Sequence, residues 1–263
     1  MPRVSFLISA KNERKNISKI ISGVRSQILP VGFEKEIIIC SNGSTDKTAD
    51  YAKGFPGIKV LELPYPNKAQ AMNLLARHAT GTHFVFLDAD ITPDSRATLA
   101  LLNALKDKKI ILAGATQKIE SKGNKLQKTI SELHEAVGPY QGIQGGMFAL
   151  RREDFQEMPS NLIHDDAYLT FKAGKEHIVQ SSEAIFHHLP SKSLIELFRR
   201  NKRMGYGIKQ LENMGFDYSE LARRKRLSDF AKLPLKIKIK GFIPLIVIKA
   251  GRKIGEHSKK PTW

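Results

Sequence analysis

Apolar and polar positions alternate along the chain in blocks whose period switches repeatedly between that of a strand and that of a helix. Residues 4–9 are a short apolar run that predicts a strand. After the polar turn Ala10-Lys11-Asn12-Glu13, the apolar positions Ile17, Ile20, Ile21 and Val24 recur at helical spacing. Residues 36–40 are a near-continuous isoleucine run, the pattern of a strand covered on both faces. Ser41-Asn42-Gly43-Ser44-Thr45-Asp46 follows as a sharp turn and helix N-cap. A third strand is predicted over residues 58–61, a helix over 68–79 stopped by Gly81, and a fourth strand over 83–87.

The alternation continues beyond that strand. A helix is predicted from Pro93 to residue 105, a strand over 110–115, and a helix flanked by glycine-bearing loops within 116–142. Gly145-Gly146 opens a strand over 145–150, and such a pair lets backbone approach a ligand closely. A helix over 161–173 carries Asp165 and Asp166 in its first turn, where carboxylates favour the positive end of the helix dipole. A short strand over 184–187 and a basic amphipathic helix over 194–204 complete the pattern. Repeated strand and helix predict an α/β fold, a doubly wound, mostly parallel sheet flanked by helices.

The fourth strand ends in Leu-Asp-Ala-Asp, so Asp88 and Asp90 project from its C-terminal end, where open α/β sheets bind ligands. A hard divalent cation such as Mg2+ or Mn2+ takes oxygen ligands at about 2.1 Å, often one or two carboxylates plus substrate phosphates. The pair therefore suits a metal shared with a phosphorylated ligand. An acidic strand end with an exposed turn is the plainer reading of the same residues.

Composition changes this picture at the C-terminal end. The 263 residues carry a formal charge of +17, yet from His187 onward there are 19 Lys/Arg against 6 Asp/Glu, which leaves only +4 for the rest. Arg223-Arg224-Lys225-Arg226 is followed by lysines alternating with Leu or Ile over 235–240 and a short apolar run over 241–248 that contains Pro244. Cations beside an apolar run too short to span a bilayer suit an interfacial anchor on an anionic membrane surface. Packing of the tail on the domain or in an oligomer interface is the alternative. With 41% hydrophobic residues the chain is globular, and its single cysteine, Cys40, forms no internal disulfide and suits a reducing compartment. A strand-like segment begins within three residues of Met1, so no signal peptide is expected.

With these pieces in order, the chain resembles the nucleotide-sugar-dependent, inverting glycosyltransferases of family 2, which have the Rossmann-like GT-A fold. The opening Val-Ser-Phe-Leu-Ile-Ser-Ala-Lys-Asn-Glu is similar to that family's first strand and nucleotide-contacting turn. Asn67-Lys68-Ala69-Gln70-Ala71-Met72-Asn73, with Ala-Thr-Gly-Thr-His-Phe-Val-Phe-Leu-Asp-Ala-Asp after it, resembles its most recognisable block. Residues 145–151 resemble the acceptor-side strand, and Asp165-Asp166 falls where the family places an acidic pair whose second member is the catalytic base.

The resemblance implies a role for each of these residues. Ser9, Ala10, Asn12 and Glu13 would contact the nucleoside, with Asn42 and Gly43 against the base or ribose. Where relatives usually have two acids before Gly-Ser-Thr-Asp, this chain has Ser41 and Asn42. Lys68 would offset diphosphate charge, Asp88 would hold the donor ribose and the metal, and Asp90 would be the more direct metal ligand. Asp166, beside Asp165, would take the acceptor proton, with burial raising its pKa for that task. Gly145, Gly146 and Met147 would line the acceptor side. Arg200 and Arg203 fall at the outer positions of a Gln-X-X-Arg-Trp pattern, with Met204 where the Trp would be. Arg203 would meet the diphosphate, and the partial form of the motif argues for transfer of a single sugar. His187 is a candidate further metal ligand.

These expectations assemble into a GT-A domain over residues 1–207 with a basic, partly apolar extension over 208–263 that is expected to be helical and membrane-associating. The partners would be a nucleotide-diphosphate sugar, a glycan or lipid-linked acceptor and an anionic membrane surface. The location would be cytoplasmic, peripheral on the inner face of the membrane. Two rival readings stay open: a decayed GT-A fold that only binds, and a basic nucleic-acid-binding protein. Against the latter, the basic cluster is not interleaved with aromatics and no nucleic-acid motif is present, so no nucleic acid is expected.

Overall fold

The computed structural model describes residues 1–120, 123–137, 142–221 and 235–258. The basic cluster 223–226 lies outside the described residues. The described chain forms two compact units, one of residues 1–118 and 142–187, the other of 119–141 and 188–263. The boundary expected at residue 207 does not coincide with this division.

The first unit is built on strands β1 (Arg3–Ala10), β2 (Glu34–Asn42), β3 (Ile58–Leu63), β4 (His83–Asp88), β5 (Ile91–Pro93), β6 (Leu112–Ile119), β7 (Met147–Arg151) and β8 (Ile178–His188). They form one sheet in the order β3-β2-β1-β4-β7-β6-β8-β5. β3, β2, β1 and β4 are parallel neighbours, whereas β7 runs antiparallel to both β4 and β6. The order reverses between β1 and β4, which puts the crevice of an open α/β sheet at their C-terminal ends.

Helices cover both faces. Alternate residues of the central strands, Phe6, Ile8, Ile39, Val85, Leu87 and Ala149, join one core with α1 (Ile17–Arg25), with Ala52 of α2 (Thr48–Lys53) and with α4 (Ala97–Ala104). In α1, Ile17, Ile20, Ile21 and Val24 are all buried. Their burial contributes roughly 1.5–3 kcal/mol per side chain, which holds in place a helix too short to persist alone. The opposite strand residues Leu7, Phe86 and Phe148 share a small hollow with Met72 of α3 (Lys68–His78), and the Phe86 and Phe148 rings stack at 5.2 Å. Cys40 sits fully buried in β2, where burial and then Glu62 push its thiol up to about 12.

Three sequence expectations shift in this unit. Pro93 ends β5 instead of starting a helix, and α4 begins at Ala97. The strand expected over 184–187 is the end of β8, which starts at Ile178. The helix expected from residue 161 starts later, as α6 (Asp165–Ala173), because Leu162 closes a turn on the Pro159 carbonyl.

The second unit contains α5 (Lys125–Val137), α7 (Leu194–Asn213) and α8 (Leu235–Glu256). Among its described residues, strand is limited to the last residues of β6 and β8. α8 is helical across the alternating lysines, with Pro244 inside it.

Candidate active site

Strand register decides where the chemistry gathers. Ser9 lies level with both Cys40 and Asp88, and Ala10 with Ser41, so β1, β2 and β4 end along one edge. The turns after β1 and β2 are laced together. The Asn12 amide donates to Ser44 Oγ at 3.1 Å, and Asn12 Oδ1 accepts the Thr45 amide at 2.8 Å. The Glu13 amide donates to Thr48 Oγ1 at 2.9 Å and the Arg14 amide to Asp46 Oδ2 at 3.1 Å. Asn12 holds φ 55°, a left-handed conformation that asparagine tolerates better than most residues, and these bonds fix it there.

Asn42 and Gly43, expected against the nucleoside, also anchor the next element. Asn42 is buried and its Oδ1 accepts the Asn67 amide at 2.5 Å. Gly43 has φ 63°, and a Cβ there would collide with the backbone of Tyr65 and Pro66, so only glycine fits. Asn67 then caps α3, accepting the Gln70 amide at 3.0 Å, and its side-chain amide donates to the Ser160 carbonyl. This places Lys68 at the first position of α3, the end of a helix that disfavours a cation. Acids offset that cost: Lys68 Nζ is 2.9 Å from Asp88 Oδ1 and 3.0 Å from Asp165 Oδ2.

The antiparallel β4–β7 pairing supplies the remaining wall. Leu87 lies opposite Met147, and the Asp88 amide donates to the Gly146 carbonyl at 3.0 Å, so the glycine pair abuts the acidic strand end. A Cβ on Gly145 would come within 2.8 Å of Asp166 Oδ2, and one on Gly146 would run into the Phe186 ring. Met147 is fully enclosed in the core. It packs into the core beneath β7 without facing the crevice, a correction to its expected place on an acceptor side. Asp166 lies on the first turn of α6, its Oδ1 held by the buried His164 (Nδ1 at 2.6 Å) and by the Ala167 amide at 2.8 Å.

Charge is unevenly balanced across this group. Burial raises the Asp88 carboxyl, as do Asp90 and Asp165, and Lys68 only partly compensates. Glu13 is likewise raised, by burial and then by Asp90, Asp88 and Asp46, although Asn16 donates to it at 2.6 Å. Burial alone would depress the Lys68 ammonium, but Asp165, Asp88 and Asp166 raise it, so it stays charged. Asp166 goes the other way. Burial would raise it, yet His164, Lys68 and the Ala167 amide together hold it well below the usual carboxylate range. The expected upward shift of the base is therefore reversed, because its neighbours outweigh its burial.

Glu13, Asp88 and Asp90 form an acid-rich corner in which burial, and after it mutual repulsion, raises Glu13 and Asp88, and hard oxygen donors in that condition fit a divalent cation. Among the described residues no preformed set of three metal-ligating side chains stands assembled. Asp90 is exposed on the loop after β4. His187 is engaged elsewhere, with Nε2 3.0 Å from Asp94 Oδ1. Arg203 is on an exposed face of α7, in the second unit. His164 is a neighbour of the site that no motif in the sequence points to, whereas Asn67 opens a recognised block without its capping role being visible there. The one sequence signal for His164 is its place two residues before Asp166.

A reversal of strand order above an acidic crevice, closed by an antiparallel strand, is the GT-A arrangement of glycosyltransferases. The profile described as Glycosyl transferase family 2 matches residues 5–162, and the chain belongs to that family. A poly-beta-1,6-N-acetyl-D-glucosamine synthase of Staphylococcus epidermidis is 33% identical over 107 residues, 39% of this chain and 25% of the relative. A 4,4'-diaponeurosporenoate glycosyltransferase of Staphylococcus aureus is 30% identical over 95 residues, 34% of this chain and 24% of the relative. The chain thus spans about a quarter of the length of these curated relatives.

Solved structures agree on the fold. A mannosyltransferase from Pyrobaculum calidifontis, in complex with GDP-Man and Mn2+, superposes with a TM-score of 0.63 at 19% identity, covering 96% of this chain and 75% of that one. Glucosyl-3-phosphoglycerate synthase from Mycobacterium tuberculosis, in complex with Mn2+, UDP-Glc and phosphoglyceric acid, gives 0.60 at 23% identity, covering 83% and 82%.

Proposed function

We propose that this protein is a metal-assisted, inverting glycosyltransferase that moves one sugar from a nucleotide-diphosphate donor to a hydroxyl of a glycan or lipid-linked acceptor. The observation that carries this reading is the meeting of Asp88, Asp165 and Asp166 around Lys68 at the β1/β4 switch point, with Gly145 keeping the wall beside Asp166 open. Ser9, Ala10 and the braced turn through Asn12 and Glu13 form the nucleoside side. Asp90 and Asp88 would hold Mg2+ or Mn2+, which when bound supplies Lewis-acid stabilisation of the departing diphosphate.

Asp166 is the base. Its Oδ1 is taken by His164 and the Ala167 amide, which leaves Oδ2 turned toward Gly145 as the proton acceptor. The acceptor hydroxyl gives its proton to Oδ2 while its oxygen bonds to the anomeric carbon from the face opposite the diphosphate. The bond to the diphosphate breaks and the diphosphate leaves with the electron pair, so a single displacement inverts the centre. A base with a low pKa is ionised and ready at neutral pH, and its strength comes from position more than from basicity. The basic C-terminal extension serves a second purpose, holding the protein at the inner face of a membrane.

The test is a thermal-shift series of nucleoside diphosphates and nucleotide sugars with Mn2+, Mg2+ or EDTA, followed by NMR of the product's anomeric configuration. A ligand that binds only the folded state raises the midpoint. The expected result is a shift with one nucleotide class that EDTA abolishes, and a product inverted relative to the donor. A donor shift without turnover would make the chain a binding protein, and no shift with any nucleotide would refute the reading.

A further inference from the structure

The outer face of α8 is an apolar surface with no cover among the described residues. Its inner face is committed to α7: Gly251 lies so close that a Cβ would come within 2.9 Å of the Phe198 carbonyl, and a Cβ on Gly205 or Gly255 would collide with the backbone of the other helix. Outward, Phe242 and Ile243 are each 59% exposed, Ile246 50% and Ile254 48%. At about 100° per residue, Ile243, Ile246, Ala250 and Ile254 fall in one sector of about 80°, with Phe242 on its edge. Exposed Lys249 and Lys253 border the sector on Phe242's side, and exposed Lys240 borders it on the other.

An exposed apolar strip edged by cations on both sides has a restricted set of partners. A protein partner would have to ring its own apolar patch with acids to match. An anionic bilayer offers a low-dielectric layer and a plane of negative charge above it, the depth order that lysine stems and isoleucine side chains need. Charge complementarity favours this partner, since the chain from His187 onward carries 19 Lys/Arg against 6 Asp/Glu. Among the described residues no helix is long and apolar enough to cross a membrane, so α8 would lie in the plane of the surface.

We infer that the outer face of α8 docks on an anionic lipid surface, with Phe242, Ile243, Ile246 and Ile254 in the acyl boundary and Lys240, Lys249 and Lys253 among the headgroups. This rests on the membrane part of the proposed function and is independent of its chemistry. The experiment is flotation of the full chain, without nucleotide, on vesicles of phosphatidylcholine with or without phosphatidylglycerol. Binding is expected only with phosphatidylglycerol and should weaken as salt rises. Ile243→Ser with Ile246→Ser should weaken it at least about tenfold, and Lys249→Gln with Lys253→Gln about fivefold per lysine with a shallower salt dependence. Each variant is checked by its circular dichroism melt, which should match the parent because these side chains are exposed. Wild-type flotation by the isoleucine variant, with an unchanged melt, would overturn the inference. So would sedimentation showing that the same substitutions dissolve a dimer while vesicle binding is unaffected.

Discussion

Two acidic pairs meet at Lys68, which bonds Asp88 of one and Asp165 of the other, and Asp88 and Asp166 are shifted in opposite directions. Asp88 and Asp90 stand at the end of a strand, where the backbone offers no net dipole, and one lysine shared with Asp165 is too little to balance burial and mutual repulsion. Asp165 and Asp166 stand at a helix start, and Asp166 gains His164 and a backbone amide besides. Asp88 is left raised by burial, and Asp166 is held low by its neighbours. On the proposed function the same residue type would serve two tasks: a pair that would hold a cation, and a base that would be ionised before substrate arrives.

The largest expected effect comes from removing the helix-start member. Asp166→Asn should lower kcat by about 10²- to 10⁴-fold with donor affinity nearly unchanged, measured by steady-state kinetics beside a donor-binding titration. Equal loss in donor affinity would place Asp166 on the donor side instead. A smaller effect is expected from His164→Asn. The acid limb of the kcat/KM profile, which reports ionisation of Asp166, should move to higher pH, because a partner that lowers its pKa is gone. A variant that lost rate at every pH with the limb unmoved would show His164 to be only a packing residue.

The smallest effect concerns stability without ligands. Asp166 is depressed on folding, so its contribution is present above the ordinary aspartate value and is lost as pH falls through the lower folded value. Asp88 is raised, so its ionised form costs stability at neutral pH, and the cost is relieved as pH falls through the raised value toward 3.8. Asp88→Asn should therefore raise the neutral-pH urea midpoint slightly and remove that relief, while Asp166→Asn should lower the midpoint. Identical pH dependence in the two variants would end the contrast drawn between the pairs.

Much of the first unit is legible in the sequence, because β1, α1, β2, α3 and β4 carry strong periodicity and clear turn signals between them. Polar Gln180, Ser181, Ser182 and Glu183 hide the first half of β8, since a part-exposed strand shows no apolar run. The extension reads as helical, but the glycines that seat α8 on α7 carry no pattern that names the helix they pack against. In the site, Asp88, Lys68 and Asp166 are visible as motif residues, yet the direction of Asp166's shift is not. That direction depends on a histidine contact at 2.6 Å, and a lone histidine before a helix carries no pattern. Asn42 is legible in part only, because its position marks the right strand end without showing that its amide oxygen also holds Asn67.

Cys40 has a practical consequence. It is the chain's single cysteine, fully buried, and its thiol is held protonated up to about 12, so it offers almost no thiolate to an alkylating reagent at neutral pH. The natural protein is already a background-free host for site-directed labelling. A cysteine introduced at Ile246 would take a spin label or fluorophore alone, and the label's quenching depth would report how far α8 sinks into a bilayer.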